Sequence, residues 1–300
     1  MRVLFYNLSN VGRKGGDTTW CRNTMAAMRE LGVDCTFSDA DNIPLSFYDV
    51  VHIIHCQAPQ SVRMWQRCRQ EGKPYVVSAI YYPQSATAHL PDMVNGSVCT
   101  IVCSEAERGE LTGVPGVNAD RIIIIPSGVD KSLFHPGPHL GSGVLSVGPL
   151  TPAKGHLHVA EACNRLSLPL TIITPIQPRP GDPYADAVRR LAGSVLSMIP
   201  LADVAGTYRQ NNVYVCGSHS DRQSLAVLEA AASGLNIVDS IYNRGSDLLP
   251  SSIVVDPNDP AALDNAIQRQ WERVEPNSDK IASWLDVSRL LLPYYRRVTE

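Results

Sequence analysis

Short apolar runs alternate along the chain with stretches whose apolar residues recur at helical spacing. The runs are rich in β-branched residues, as in VVHII at 50–54 and IIII at 122–125. Continuous apolar runs of this length are typical of parallel strands buried on both faces, and the periodic stretches predict helices that cover them. The predicted strands are residues 2–7, 34–37, 50–54, 75–80, 98–103, 122–125, 144–147, 170–173, 195–198, 213–216, 236–238 and 253–255. The predicted helices are residues 18–31, 61–70, 155–166, 184–192, 224–232, 261–274 and 279–297, with a short one after a capping box at 104–107.

The alternation is interrupted once, at residues 135–143. The segment HPGPHLGSG holds two prolines and three glycines, which is typical of a linker. The chain therefore predicts two doubly wound α/β domains, at residues 1–138 and 139–280, with a further amphipathic helix at 281–300. Ligands of such sheets bind at the carboxyl ends of the strands, so a cleft between the two domains is the expected site.

Composition mainly excludes classes of function. The 300 residues hold 26 Lys and Arg against 29 Asp and Glu, with a net charge of −3, so no basic excess predicts nucleic acid as a partner. The eight cysteines form no Cys-x-x-Cys pair, which disfavours a zinc ribbon or a thioredoxin motif. No apolar run is long enough to span a membrane or to act as a signal peptide, so a cytoplasmic location with free thiols is predicted.

The most informative segment is VCGSHSDRQSLAVLEAAASGLNIVDS at 215–240. A strand leads into a polar loop that contains Asp221, and a helix then opens at Ser224 and Leu225. Glu229 follows about one turn into that helix. A helix N-terminus presents free N–H groups and a positive dipole end, which suits an anionic diphosphate. Two acids at this spacing can hold sugar and ribose hydroxyls by charge-assisted hydrogen bonds.

A second strand, loop and helix lies in LSVGPLTPAKG at 145–155. Gly148 ends the strand, and Lys154 precedes the next helix. The lysine would offer a compact positive charge to a phosphate group.

These segments resemble the retaining, nucleotide-sugar-dependent glycosyltransferases of the GT-B fold, family 4. DRQSLAVLEAAASGLNIV resembles the family's two-acid motif, VGPLTPAKG its Val-Gly-Arg-Leu…Lys-Gly loop, and IPSGVDKSLFHP its interdomain segment. Further matches, in chain order, are Gly15-Gly16, DVVHIIH, CSEAERGEL and the closing helix IASWLDVSRLLLPYY. The resemblance covers nearly the whole chain and implies two Rossmann-like domains facing across a cleft, with the C-terminal helix crossing back to the N-terminal domain.

The resemblance also implies roles for individual residues. Lys154 and Asp221 would be catalytic, Lys154 at the donor diphosphate and Asp221 at the donor sugar, while Glu229 would hold the ribose. Glycines of the N-terminal loop would let the backbone approach the phosphates. The implied donor-binding set is Gly15, Gly16, Gly148, Lys154, Asp221, Arg222, Ser224, Leu225 and Glu229.

The implied reaction is sugar transfer with retained anomeric configuration, with no metal and no cofactor other than the nucleotide-diphosphate sugar donor. The expected acceptor is a glycan or a lipid-linked acceptor in cell-surface polysaccharide synthesis. Basic residues of the helix at 61–70 (Arg63, Arg67 and Arg69, with Lys73 after it) are either a solvated face or an acceptor or membrane-surface patch at the inner membrane face.

Three positions depart from the family pattern. Pro149 stands where the family has a phosphate-binding Arg, and Arg13, Arg179 and Arg222 are candidates to replace it. Asp221 takes the place of the usual Glu.

The third departure is Ile80, which stands where many members have an active-site His. Ser78 and Tyr81, together with His55, are therefore the acceptor-side candidates. Of His52 and His55, which are three residues apart on a strand, one is expected to be buried and hydrogen-bonded.

Other functions remain open. The departures motivate an alternative to the enzyme, a catalytically degenerate GT-B protein that acts as a nucleotide-binding partner or scaffold. Asp39-Ala40-Asp41 spells the metal-binding signature of GT-A enzymes, but it comes too early in the chain. A dinucleotide-dependent oxidoreductase would need Gly-x-Gly-x-x-Gly after the first strand, and Gly12, Gly15 and Gly16 do not have that spacing.

Overall fold

The chain folds into two units, each built on one parallel β-sheet. The computed structural model describes residues 1–7, 15–85, 87–138, 141–277 and 279–298. Unit 1 comprises Met1–Gly128 and Ala282–Glu300, and unit 2 comprises Val129–Ile281. Each unit contains a six-stranded sheet in which the described strand pairings are parallel. The α/β fold class predicted from the alternating pattern is confirmed.

In unit 1 the sheet order is β2-β1-β3-β4-β5-β6. Its strands are β1 (Arg2–Tyr6), β2 (Asp34–Ser38), β3 (Val50–Ile54), β4 (Tyr75–Ser78), β5 (Thr100–Val102) and β6 (Ile122–Ile124). Its helices are α1 (Gly16–Glu30), α2 (Pro59–Gln70), α3 (Leu90–Asn95), α4 (Glu105–Thr112) and, from the end of the chain, α10 (Trp284–Arg296). Alternate residues of β1 enter two cores: Val3 and Phe5 pack with residues of α1 and α10, whereas Leu4 and Tyr6 pack with residues of α2 and α3. Both faces of the sheet are therefore covered.

In unit 2 the sheet order is β12-β11-β10-β7-β8-β9. Its strands are β7 (Val144–Val147), β8 (Leu170–Thr174), β9 (Ser194–Ser197), β10 (Val213–Val215), β11 (Asn236–Ser240) and β12 (Ile253–Val255). Its helices are α5 (His156–Leu166), α6 (Pro183–Leu191), α7 (Leu201–Gln210), α8 (Leu225–Ala232) and α9 (Pro260–Trp271). Counted within the unit, this is the order of a dinucleotide-binding sheet, and the strand order reverses between β7 and β10. Such a reversal is where ligands bind in open α/β sheets.

Two helices, α3 and α7, are not among the predicted elements. The first is only six residues long and carries a proline at its second position. The second follows Pro200 and contains Gly206, so its local sequence is a weak helix signal. Both form because tertiary packing buries one side of each, with Met93 in one core and Tyr208 in another.

The division between the units lies at Gly128 and Val129, ten residues before the boundary predicted at 138. Val129 and Phe134 pack into a core of unit 2. Arg209 of α7 donates a hydrogen bond from Nη1 to the carbonyl oxygen of Leu133, at 2.8 Å. Most of the segment before the Pro/Gly-rich stretch therefore folds with the second sheet.

Helix α10 is held to the sheet of unit 1 by a buried polar chain. Tyr295 Oη lies 2.5 Å from His52 Nδ1, and His52 Nε2 lies 2.9 Å from Ser78 Oγ. All three side chains are buried, and burial lowers the pKa of His52 to about 3, so the imidazole is neutral. His52 is thus the buried, hydrogen-bonded histidine expected at the third strand.

We expect Tyr295→Phe to lower the free energy of unfolding by about 1–3 kcal/mol, because it leaves Nδ1 of a buried histidine without its partner. The measurement is urea unfolding followed by circular dichroism. Tyr294→Phe is the matched control: this neighbouring tyrosine is partly exposed and stacks on Arg297 through its ring, which phenylalanine keeps. Equal losses in the two variants would contradict a role for the buried chain.

Candidate functional site

The predicted chemistry of unit 2 converges on the loops that follow β7 and β10. These strands are neighbours in the sheet, and Ser146 Oγ of β7 donates a hydrogen bond to the carbonyl oxygen of Val215 in β10, at 2.9 Å. Because both strands run in the same direction, their carboxyl ends open at one edge of the sheet. Residues 148–155 and 216–224, which are distant in sequence, therefore emerge side by side at the reversal of strand order.

Two glycines bring the backbones of these loops into contact. Gly155 has φ of +60°, and a Cβ atom at this position would lie 1.9 Å from the carbonyl oxygen of Gly217. A Cβ on Gly217 would in turn lie 2.7 Å from the carbonyl oxygen of Gly155. The amide N–H of His219 also donates to the carbonyl oxygen of Ala153, at 2.9 Å. Only glycine at both positions allows this approach.

The approach places Lys154 against Asp221. Lys154 Nζ lies 2.7 Å from Oδ1 and 2.8 Å from Oδ2 of the carboxylate, so one ammonium group contacts both oxygens. The side chains keep 28% and 18% of their surface exposed, which leaves each accessible to a ligand. The structure thus joins the two residues predicted to be catalytic, which are separated by 67 positions in the sequence.

A small cavity adjoins this ion pair. Its lining includes Lys154, His156, Cys216, Asp221 and Ser224. Ser224 is the residue that precedes the first turn of α8 and makes no side-chain capping bond. The N-terminus of α8 is therefore present at the site, as the sequence predicts.

His156 is buried, although its position at the start of a helix suggests a residue on the surface. It is 1% exposed, and its Nδ1 lies 3.0 Å from Ser146 Oγ. Burial lowers the pKa of His156 to about 4, so the ring is neutral beside the ion pair. The first residue of α5 faces the sheet because the turn at Gly155 directs it inward.

Glu229 lies on α8 beyond the lining of that cavity. Tyr208 Oη of α7 donates a hydrogen bond to Glu229 Oε2, at 3.1 Å. Burial raises the pKa of Glu229 to about 7, although the tyrosine bond acts in the opposite direction. A carboxyl group with this pKa in a partly exposed position is typical of binding and catalytic sites.

The other predicted donor-binding residues of unit 2 surround the ion pair. Gly148 has φ of +156°, and a Cβ there would lie 3.5 Å from Lys154 Cγ. Leu225 is the first residue of α8, and Arg222 directly follows Asp221 and is partly exposed. Arg179, another candidate for the cation missing at Pro149, is exposed in the loop after β8. The third candidate, Arg13, lies outside the described residues.

Gly15 and Gly16 belong to unit 1, at the start of α1, and both are exposed. His55 follows β3 with φ of +70°, a left-handed conformation, and its Nε2 lies 3.5 Å from Asp17 Oδ2. His55 thus keeps an accessible ring at the carboxyl edge of the first sheet.

Ser78 and Tyr81 have buried side chains, which disagrees with their predicted role in lining an acceptor surface. Ser78 is 7% exposed and bonded to His52, and Tyr81 is 3% exposed within a core of unit 1. Between them Ile80 has φ of +43°, which is a rare conformation for a β-branched residue. The backbone turn at Ile80 directs the tyrosine ring inward.

Of the two acids in Asp39-Ala40-Asp41, Asp41 is bonded to neighbouring side chains. Asp41 accepts hydrogen bonds from Tyr6 and from Arg63, and these bonds lower the pKa of its carboxyl group. This pairing gives no support to the metal-binding interpretation of Asp39-Ala40-Asp41.

The basic face of α2 is largely neutralised by local partners. In addition to the Arg63 pair with Asp41, Arg67 Nε lies 2.7 Å from Glu71 Oε1 and Arg69 Nη1 lies 3.3 Å from Asp92 Oδ2. Lys73 Nζ donates to the carbonyl oxygen of Tyr48, at 2.6 Å. These contacts favour a solvated face over a patch for anionic surfaces. Within the described ranges, no helix combines the length and apolarity that crossing a bilayer requires.

Comparison with known proteins supports the glycosyltransferase class. Residues 141–273, less than half of the chain, match the model of a family described as "Glycosyl transferases group 1". The chain is 21% identical to alpha-maltose-1-phosphate synthase of Mycolicibacterium smegmatis, over 87% of its own length and 76% of the relative's. It is 28% identical to D-inositol 3-phosphate glycosyltransferase of Acidothermus cellulolyticus, over 59% of its own length and 46% of the relative's.

Solved structures show the same fold. Sucrose-phosphate synthase from Thermosynechococcus elongatus matches with a TM-score of 0.80 over 99% of both chains, at 18% identity. HepE from Anabaena, solved in complex with UDP-glucose, matches with a TM-score of 0.70 over 100% of this chain and 98% of its own, at 15% identity. These likenesses confirm the predicted GT-B fold class.

We expect Gly155→Ala to lower the free energy of unfolding by at least about 2–4 kcal/mol, because the new methyl group overlaps the Gly217 carbonyl and φ is unfavourable. Chemical denaturation measures the loss. Gly181→Ala is the matched control, since Gly181 has φ of +73° but no neighbouring atom within 4 Å of the place that a Cβ would take. It should lose only about 1 kcal/mol. Similar losses at the two positions would show that overlap with Gly217 does not matter.

Glu229→Gln should raise stability at alkaline pH. The folded-state pKa of about 7 lies above the ordinary value of 4.5, so the folded protein loses stability as pH rises through that window. Glutamine removes this penalty and can still accept the Tyr208 hydrogen bond. We expect little gain near pH 4, where the carboxyl group is mostly protonated in both the folded and unfolded states, and, after allowance for partial exposure, about 1–2 kcal/mol near pH 8.

Urea unfolding at several pH values measures the difference between variant and wild type. Glu161→Gln, at a partly exposed acid on α5, is the control and should show little pH dependence. A Glu229→Gln difference that stays constant with pH would refute the raised pKa.

Proposed function

We propose that the chain is a retaining, metal-independent glycosyltransferase of family 4 that takes a hexose from a nucleotide-diphosphate sugar. The proposed acceptor is a glycan or a lipid-linked acceptor in cell-surface polysaccharide synthesis, and the proposed location is the cytoplasm. The observation that carries the proposal is the Lys154–Asp221 pair at the reversal of strand order, beside the N-terminus of α8.

This arrangement suits the departure of a nucleoside diphosphate. Breaking the bond between the sugar and the diphosphate leaves negative charge on the phosphate oxygens. The Lys154 ammonium group and the free N–H groups at the start of α8 would stabilise that charge as it develops. The contribution of these groups is electrostatic, so neither a covalent intermediate nor a bound cofactor enters the proposal.

Asp221 would hold the sugar end of the donor. Its carboxylate is fixed by Lys154 through both oxygens, yet each oxygen has lone pairs that remain for sugar hydroxyls. Glu229, one turn into α8, would accept hydrogen bonds from ribose hydroxyls, which bind an ionised carboxylate best. With a pKa of about 7, this carboxyl group would favour donor binding on the alkaline side of neutrality.

The names of similar proteins bear on the class of acceptor. The names of the two curated relatives and of one structural neighbour refer to phosphorylated sugars or inositol phosphate. A free sugar phosphate is therefore the competing acceptor class, and it belongs beside lipid-linked glycans in any assay.

A catalytically degenerate protein that binds nucleotide as a partner or scaffold is the second candidate. Pro149 favours it, because a proline supplies no positive charge where the resemblance implies a phosphate-binding arginine. The two candidates differ in one outcome: both bind nucleotide, but only the enzyme releases it from a sugar.

The test is release of nucleoside diphosphate from a panel of UDP-, GDP- and dTDP-sugars, with and without sugar phosphates and lipid-linked glycans. We expect Lys154→Ala to lower kcat/KM by about 100-fold or more, since it removes a charge that acts in the transition state. Lys131→Ala, at an exposed lysine of the same unit, is the control and should leave the rate unchanged. Absence of donor binding would reject the proposal, and binding without turnover would favour the scaffold.

The same reaction tests its finer features. Proton NMR of the product should show the anomeric configuration of the donor, and an excess of EDTA should leave the rate unchanged. An inverted product or loss of activity in EDTA would reject the retaining or the metal-independent part of the proposal.

A further inference from the structure

A second acid of unit 2 is more deeply buried than Glu229. Asp239 lies on β11, a strand in which all five residues are buried, and is itself completely buried. Burial raises its pKa to about 7, while hydrogen bonds to the carboxylate act in the opposite direction. Burying a carboxylate inside a sheet is unfavourable unless hydrogen bonds compensate for the lost hydration. The hydrogen-bond partners of Asp239 therefore indicate its role.

Each oxygen of Asp239 accepts a hydrogen bond. Oδ1 accepts from the Ser240 amide N–H and Oδ2 accepts from Asn243 Nδ2, both at 2.8 Å. Cys216 at the end of β10 also bonds to the carboxylate, and because burial raises the pKa of this thiol it acts as the donor. An ionised carboxylate can only accept, so Asp239 forces the NH₂ group of Asn243 toward itself.

The orientation of the Asn243 amide then determines what it offers to the candidate site. Asn243 is 2% exposed, and its Oδ1 accepts from the Ser224 amide N–H at 3.2 Å and from the Gly245 amide N–H at 3.4 Å. With the amide reversed, an NH₂ group would face the N–H of Ser224. Through Asn243, Asp239 thereby holds Ser224, the residue directly before α8.

The backbone beside Asn243 holds Asp221 in the same way. The Asp221 amide N–H donates to the carbonyl oxygen of Tyr242 at 3.1 Å, and the Arg244 N–H donates to the carbonyl oxygen of Asp221 at 3.0 Å. Residues 242–244 therefore contact both ends of the loop that carries Asp221 and Ser224. Within the described part of the chain, the side-chain acceptor for the Ser224 N–H is Asn243.

We propose that Asp239 and Asn243 are a positioning pair for the donor site: the carboxylate orients the amide, and the amide holds the Ser224 N–H directly before α8, beside the main-chain bonds of residues 242 and 244 that hold Asp221. Neither residue touches the donor in this proposal. The inference rests on the proposed function for its kinetic consequence, but the predicted order of the loop does not depend on activity.

The pair can be tested by swapping the aspartate and the asparagine between positions 239 and 243. In D239N, one oxygen of the carboxylate becomes an NH₂ group, which must face either the Ser240 N–H or the Asn243 NH₂. In N243D, two carboxylates face each other. In the double variant D239N/N243D the new amide donates to the new carboxylate, whose other oxygen accepts from Ser224, so the Asp239–Asn243 bond and the Ser224 bond are both restored with the same net charge.

The first measurement is amide hydrogen exchange of Ser224 in the full chain, at about pH 8, where the wild-type carboxylate is mostly ionised. We expect exchange to be about tenfold faster or more in each single variant and to return to within about threefold of wild type in the double variant. D264N is the matched control: it is an Asp-to-Asn change in the same unit that removes one of the two Asp264 bonds to Arg165 together with the negative charge, and it should leave Ser224 exchange unchanged. Unchanged exchange in the single variants, or no recovery in the double variant, overturns the proposal.

The second measurement is donor kinetics with the same four proteins. For a positioning pair, donor KM should rise about tenfold in each single variant and recover in the double variant. A purely structural pair would lower the melting temperature and leave donor KM unchanged, which would also overturn the proposal. If wild type turns over no donor, the proposed function fails, and the exchange measurement alone decides the positioning role.

Discussion

The backbone contact between Gly155 and Gly217 is the constraint on which the candidate site depends. Parallel strands bring their carboxyl ends to one edge, but side chains normally keep the following loops several ångströms apart. Here the carbonyl oxygen of one glycine occupies the space of the other's missing Cβ. Lys154 precedes one of these glycines and Asp221 follows the other by four residues, so the glycines set the distance at which the charges meet. Backbone geometry thus brings the two charged side chains within reach of each other.

The electrostatics of unit 2 follow from how burial is divided among its acids. Asp221 is partly exposed and paired with a cation, so its charge is satisfied at the surface. Glu229 and Asp239 bond to neutral donors instead, and burial raises the pKa of both toward neutrality. Three acids therefore lie near the loop at 221–224 and the start of α8. Asp221 is neutralised by Lys154, whereas burial of Glu229 and Asp239 makes their ionised forms unfavourable. Proteins retain buried acids of this kind, despite the loss of folding stability, where the geometry of a site matters more than stability.

Much of the fold could be predicted from the sequence because parallel strands and their covering helices have a strong local signature. The predicted segments overlap all twelve strands of the described chain, and the two-acid helix begins where Ser224 suggests. The local sequence pattern did not predict those side-chain positions that tertiary contacts determine. The inward direction of His156 depends on the turn at Gly155, the burial of Tyr81 depends on the backbone at Ile80, and Asn243 gains its role only from Asp239. Neither periodicity nor residue spacing in the sequence indicates these positions, because each depends on contacts that form only when the unit folds.

Helix α10 has a consequence for how the protein is made. Unit 1 is discontinuous: its core includes Val287, Leu291 and Tyr295, which are synthesised after all of unit 2. Unit 2 is contiguous and can complete its core while the ribosome is still translating. The Val3 and Phe5 face of the first sheet is completed only when α10 has been synthesised, and it exposes apolar surface until then. Nascent chains in that interval are therefore the form most exposed to aggregation and to chaperone binding.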